Sequence, residues 1–239
     1  MRLFYTFFLT LFTIFSNAQE LDCDDFEFNI SNDFYTKIEL VNNKAFNSLL
    51  KDSISLTRNT NKNIDSIQKE FDKLYKNKIT NNCINSKIYN EQDKSIIDFN
   101  QCNKRQKIEL VDKINHLYIF NLKAFETNNY LLFNTLNNTI YVIDDYPIIS
   151  DNGNTIFTLK FHTPNSHGAN VYKFEGDKLN KFVINFSGFY NLKSYHVTKN
   201  RNNQLKILIN LIKYESIQKE YTWTNNKDKF CSKFIVISP

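Results

Sequence analysis

Two short stretches carry the residue types from which active centres are usually built. His162-Thr163-Pro164-Asn165-Ser166-His167-Gly168 sets two imidazoles five positions apart around a hydroxyl, on a segment broken by Pro and Gly. Imidazoles so placed can share a transition metal, or one can take the proton of Ser166 as a general base. Asp144-Asp145 stands directly before Tyr146-Pro147. Paired carboxylates can do acid–base work or bind calcium. His162, His167, Asp144 and Asp145 are therefore the candidate site residues. The surrounding pattern does not reinforce them. No Cys-x-x-Cys or Glu-x-x-His spacing suited to zinc or iron occurs. A Ser-His pair also needs an orienting carboxylate and an oxyanion hole, and neither has a signature here. Gly-rich phosphate loops, the nucleophile elbow and the dinucleotide fingerprint are absent. The histidine segment has the composition of a surface turn between strands, and the aspartate pair that of a solvated turn. The expectation is a non-enzymatic protein without metal or cofactor. The alternative is a secreted hydrolase or metal-dependent enzyme using the His162/His167 loop.

The chain opens with Arg2, an uncharged apolar run from Leu3 to Phe15, and the small-residue box Ser16-Asn17-Ala18. This is the layout of a secretory signal peptide over residues 1–18. The run is too short to span a bilayer comfortably, which takes about 20 residues. The mature protein is expected to start near Gln19 and to be periplasmic or extracellular. The Ser16-Asn17-Ala18-Gln19 junction resembles those of proteins exported by Bacteroidetes-type bacteria. No second apolar span follows, so no membrane span is expected after cleavage.

Four cysteines, Cys23, Cys83, Cys102 and Cys231, follow the leader. An even number in an oxidising compartment suggests disulfides, with three connectivities open. Cys83 and Cys102 are nearest in sequence and flank a polar segment, which favours that bridge. Such a loop of about 20 residues restrains the unfolded chain by about 3 kcal/mol. Cys23 and Cys231 would then tie the two ends together. The net charge of +5 is mild, and lysines are interleaved with acids. A nucleic-acid footprint needs a concentrated basic face, so nucleic acid is not an expected partner.

Hydrophobic period changes along the chain. Phe26, Phe28 and Ile30 alternate, as in a short strand or extended arm. Phe46, Leu49, Leu50 and Ile54 suit one helix face, and Ile64, Ile67, Phe71 and Leu74 another. Residues 78–104 read as a loop with a short helix, held by the disulfide. Residues 19–105 are thus expected to be largely helical. From 106 to 239 short apolar runs alternate with turn signals, predicting about ten antiparallel strands. Asn137-Asn138 and Glu175-Gly176-Asp177-Lys178 are the hairpin turns. His116 and His196 fall inside strand candidates, and Trp223 beside Tyr221 reads as core packing. The fold class is α+β, mainly β.

The stretch Tyr146-Pro147-Ile148-Ile149-Ser150-Asp151-Asn152-Gly153-Asn154-Thr155-Ile156-Phe157 resembles the blade-opening motif of TolB-type β-propellers. Pro147, Ser150, Gly153 and Ile156 fit that motif. Ile149, Asp151 and Asn152 depart from its aromatic, second Pro and Asp. Ile119, Ile156 and Ile207 stand in comparable strand positions about 40 to 50 residues apart, a blade-like spacing. The resemblance covers three blade-like units. A closed propeller takes at least about four blades. The resemblance therefore implies an open or incomplete propeller-like sheet stack, with the N-terminal helices covering an edge. It also implies a protein-binding or cell-envelope scaffold role, with another envelope or extracellular protein as partner.

Overall fold

The computed structural model describes residues 28–31, 37–51, 54–55, 63–125, 127–150, 153–163, 166–186, 190–199, 205–219 and 222–238; for 29–31, 54–55, 127, 160–163, 166–167, 213–219 and 222–230 this covers the backbone alone. Strand makes up 65% of the structure. The predicted leader and Cys23 lie outside the described residues.

Among the described residues, three strands and two helices come first: β1 (Phe28–Ser31), β2 (Lys37–Val41), α1 (Asn43–Lys51), β3 (Ile54–Ser55) and α2 (Ile64–Leu74). Asn63 starts α2 by accepting a hydrogen bond from the Ser66 amide at 3.1 Å, the usual service of an N-cap. Next come β4 (Cys83–Asn90), β5 (Ser95–Cys102), β6 (Lys107–Ile114), β7 (Leu117–Ala124), β8 (Thr127–Asn134) and β9 (Thr139–Ile143). These six form the first sheet, in the order β5-β4-β9-β8-β7-β6. Its pairings are antiparallel except that of β4 with β9, which touch in parallel over two residue pairs.

The second sheet holds β10 (Ile148–Ile149), β11 (Thr155–Thr163), β12 (Ser166–Glu175) and β13 (Lys178–Phe186), with β1 added beside β13. The third holds β14 (Asn191–Lys199), β15 (Leu205–Lys219) and β16 (Thr222–Ser238), flanked by β2 and β3. The first strands of the chain therefore pair with its last ones. Two hairpins turn where predicted. Asn138 (φ 52°) and Gly176 (φ 61°) take the left-handed conformation, which Gly accepts freely and Asn tolerates.

Period-2 alternation explains the stacking. On β7, Tyr118 and Phe120 face α2, while Leu117 and Ile119 face the second sheet. On β11, Ile156 faces the first sheet and Phe157 the third. The order is α2, first sheet, second sheet, third sheet, α1. Phe71 of α2 packs edge-on against Tyr118, Phe120 and Phe133. Phe46 of α1 packs on Leu208 and Val236. The helices thus cover the two outer faces rather than an edge. A sheet face exposes far more apolar surface than an edge, so burial favours that placement.

The structure corrects two other expectations. Residues 78–104 are not a loop with a short helix: they contain the β4–β5 hairpin, with the Cys83–Cys102 disulfide joining directly opposed residues. β4 and β5 belong to the same sheet as β6 to β9, so that sheet draws on residues before and after the change of period near residue 105. His116 sits in the turn between β6 and β7 rather than inside a strand, whereas His196 lies within β14. Cys231 is buried and disulfide-bonded. Among the described residues, no helix is long and apolar enough to cross a membrane.

Candidate functional site at the seam of the first two sheets

Asp144 follows β9 at the edge of the first sheet and reaches across to the second. There Thr158 on β11 and Asn170 on β12 are directly opposed, and Tyr172 lies two residues further along β12. Alternation puts these three on the face that looks at the first sheet. Thr158 Oγ1 and Tyr172 Oη donate to Asp144 Oδ1 at 3.1 and 2.7 Å. Asn170 Nδ2 donates to Oδ2 at 2.6 Å. Burial, followed by the neighbouring Asp144 charge, pushes the Tyr172 phenol well above its ordinary value. Tyr172 therefore stays protonated and keeps donating. The aspartate expected in a solvated turn is instead a strut between sheets.

Asp145 accepts the Tyr146 amide at 2.6 Å. The Tyr146 ring stands edge-on to Tyr130, with centroids 5.6 Å apart, and its hydroxyl donates to Asp112 Oδ2 at 2.8 Å. Asp112 is buried on β6 beside a register shift, and its other oxygen accepts the Lys113 amide at 2.7 Å. Nearby Asn121 and Asn128 are joined at 2.8 Å. The Oδ1 atoms of Asn121 and Asn170 are buried and have no hydrogen-bond partner. The seam therefore carries a polar layer within an apolar interface.

Further links join the turns of the two sheets. Tyr141 Oη donates to the Asp177 carbonyl at 2.8 Å, and Asn137 Nδ2 donates to the Asp177 carboxylate at 2.6 Å. Gly153 (φ 73°) lies under the His116 ring: a Cβ there would stand 2.5 Å from Cε1. Burial lowers the His116 pKa below its ordinary 6.5. Ser150 and Thr155 lie close by. Ser150 Oγ accepts the Thr155 amide at 3.0 Å, and Ile156 then enters the core.

His162 and His167 stand at the far ends of β11 and β12, on either side of the Thr163–Ser166 pair that closes the hairpin. The register moves from Lys160↔Gly168 to Thr163↔Ser166, so two residues oppose one there, as in a β-bulge. The side chains of both histidines lie outside the described residues. The structure thus places Asp144 and Asp145 at the seam. Among the described residues no group of three or more His, Cys, Asp or Glu is arranged to hold a metal.

Sequence reasoning missed Asp112, Tyr146, Thr158, Asn170 and Tyr172. Thr158 and Asn170 carried a usable signal, since both are polar residues at inward positions of buried strands. A buried polar side chain needs a partner, and that requirement points to a carboxylate on the facing sheet. Away from the seam, Glu70 of α2 accepts from Lys113 Nζ at 2.8 Å and Tyr118 Oη at 2.9 Å. These two bonds, Lys113 foremost, lower the Glu70 pKa.

Among the described residues, grooves open on the first sheet. One, of about 550 Å³, runs between α2 and β6 over Ile79, Ile108 and Leu110. Another, of about 390 Å³, lies where β4 and β9 diverge, between Ile88, Ile97, Phe99 and Val142 on one side and Tyr89 and Leu179 on the other. No protein-family model, no curated protein and no solved structure matches this chain.

Proposed function

We propose that this chain is an exported, non-enzymatic protein that serves as a protein-binding or cell-envelope scaffold module, in the periplasm or outside the cell. The observation that carries the reading is the use made of Asp144. Its carboxylate is a chemically capable group, and it is spent on three hydrogen bonds that join two sheets. Three sheets stacked in series with a helix on each outer face are compatible with the open, propeller-like body that the resemblance implies. Such a body is a rigid platform whose turns and edges meet a partner, here another envelope or extracellular protein. The Cys83–Cys102 disulfide suits an oxidising compartment.

The test has two arms. Cross-linking in the native envelope, followed by mass spectrometry, is expected to yield one recurrent protein partner. Metal analysis of the purified protein is expected to give sub-stoichiometric zinc and manganese. Stoichiometric metal that disappears in the His162→Ala/His167→Ala double variant would overturn the reading in favour of the metal-dependent enzyme.

A further inference from the structure

Edges of sheets are templates for strand pairing, and proteins normally blunt them with shortness, charge, Pro, bulges or a cover. Among the described strands, five of the six sheet edges follow that rule. β3 and β10 have two residues each, β1 has four, and the five of β2 include Lys37 and Glu39. β6 is long, but its register shifts between Leu110 and Asp112, and its Ile108 amide is taken by the Asn81 carbonyl at 2.6 Å.

β5 has none of these devices beyond a single charge. It runs eight residues in unbroken register with β4, and no described strand pairs with its outer side. Its one charge, Asp98, lies directly opposite Lys87 of β4. All its side chains except Ser95 and Phe99 are exposed, including Ile96 at 37% and Ile97 at 43%. The Cys83–Cys102 disulfide pins its far end. The strand is therefore pre-ordered for pairing.

We infer that the outer edge of β5 is a self-association surface, on which β5 of a second copy of this chain pairs antiparallel about a two-fold axis at Ile97. A two-fold normal to the sheet keeps each residue on its own face, so only registers centred on a residue are allowed. Centring on Asp98 would oppose two like charges, which is destabilising. Centring on Ile97 opposes Ile97 to its copy, Phe99 to Ser95, and Ile96 to Asp98. That register joins apolar side chains next to the cleft lined by Ile88, Phe99 and Val142 and leaves no like charges opposed. It also closes, consuming both edges in one isologous contact. The product is one continuous sheet of twelve strands, twice the six of the first sheet.

Sedimentation of the purified, oxidised protein across a concentration series tests this. A concentration-dependent dimer is expected, and Ile97→Lys should weaken it at least about tenfold, with the circular dichroism spectrum unchanged because the site is exposed. Ile97→Cys should give a symmetric disulfide-linked dimer rapidly, while Leu136→Cys, an exposed position on the β8–β9 turn, should not. A protein monomeric at every concentration overturns the inference, as does a dimer indifferent to Ile97→Lys. So does Ile97→Cys cross-linking no faster than Leu136→Cys.

Discussion

Toward the third sheet, the second presents Phe157, Val171 and Ile184, which meet Ile207, Ile209, Ile235 and Ile237, all fully buried. Toward the first, it presents Ile156 and Leu179, but also Thr158, Asn170 and Tyr172 around a carboxylate. One sheet thus has two kinds of face. Aliphatic packing is non-directional and rewards filled volume. Hydrogen bonds have preferred distances and angles, so they select one alignment of the facing sheets. The apolar seam supplies cohesion, and the polar seam supplies cohesion plus a set position.

The largest effect should come from the apolar seam. Phe157→Ala is expected to cost about 3–5 kcal/mol in urea unfolding, because a fully buried ring leaves a cavity. A cost below that of a surface substitution would erase the distinction. Asp144→Ala comes next, at about 3 kcal/mol, since it strands three donors at once. Asp145→Ala should cost about 1 kcal/mol, because its bond from the Tyr146 amide joins neighbouring residues rather than two sheets. Equal costs for the two would show that Asp144 is not the strut.

Removing the Cys83–Cys102 bridge as the double Ala variant should cost about 2–3 kcal/mol, with the loss vanishing when both proteins are compared under reducing conditions.

The smallest effect is on pH dependence. The folded His116 pKa lies below the unfolded value of 6.5, so the unfolded chain binds the proton more readily. The stabilisation is complete above 6.5 and falls as pH drops from there toward the lower folded value. His116→Phe should remove that slope. Glu70 titrates in a separate window: its folded pKa is depressed, so its contribution is present above 4.5 and lost on acidification below it. A stability curve insensitive to His116→Phe between neutrality and mild acid would place His116 outside the seam.

Legibility followed burial. Strands buried on both faces, such as Leu117–Ala124, announced themselves as apolar runs. β5 did not, because Ile96, Ile97 and Phe99 stand among polar residues on a strand that is largely exposed. The α2 face was read correctly at Ile64, Ile67 and Phe71, which pack on the first sheet. Leu74, read on the same face, is 58% exposed. Asp144 was visible as a residue but not as a strut, since its three donors lie 14 to 28 positions away and on other strands.

By itself the sequence determined many of the elements, though not the β4–β5 hairpin. Period 2 or 3.6 set strand or helix, Asn138 and Gly176 set turns, and four cysteines set the means for two bridges. These are local matters of φ, ψ and side-chain alternation, legible within a window of a few residues. Tertiary structure alone decided which strands share a sheet, that β1 and β2 return to strands near the end of the chain, and that a carboxylate meets a threonine, an amide and a phenol. Those outcomes depend on which apolar faces can cover one another and on where a buried polar group finds its partner, and neither is a property of any short stretch of chain.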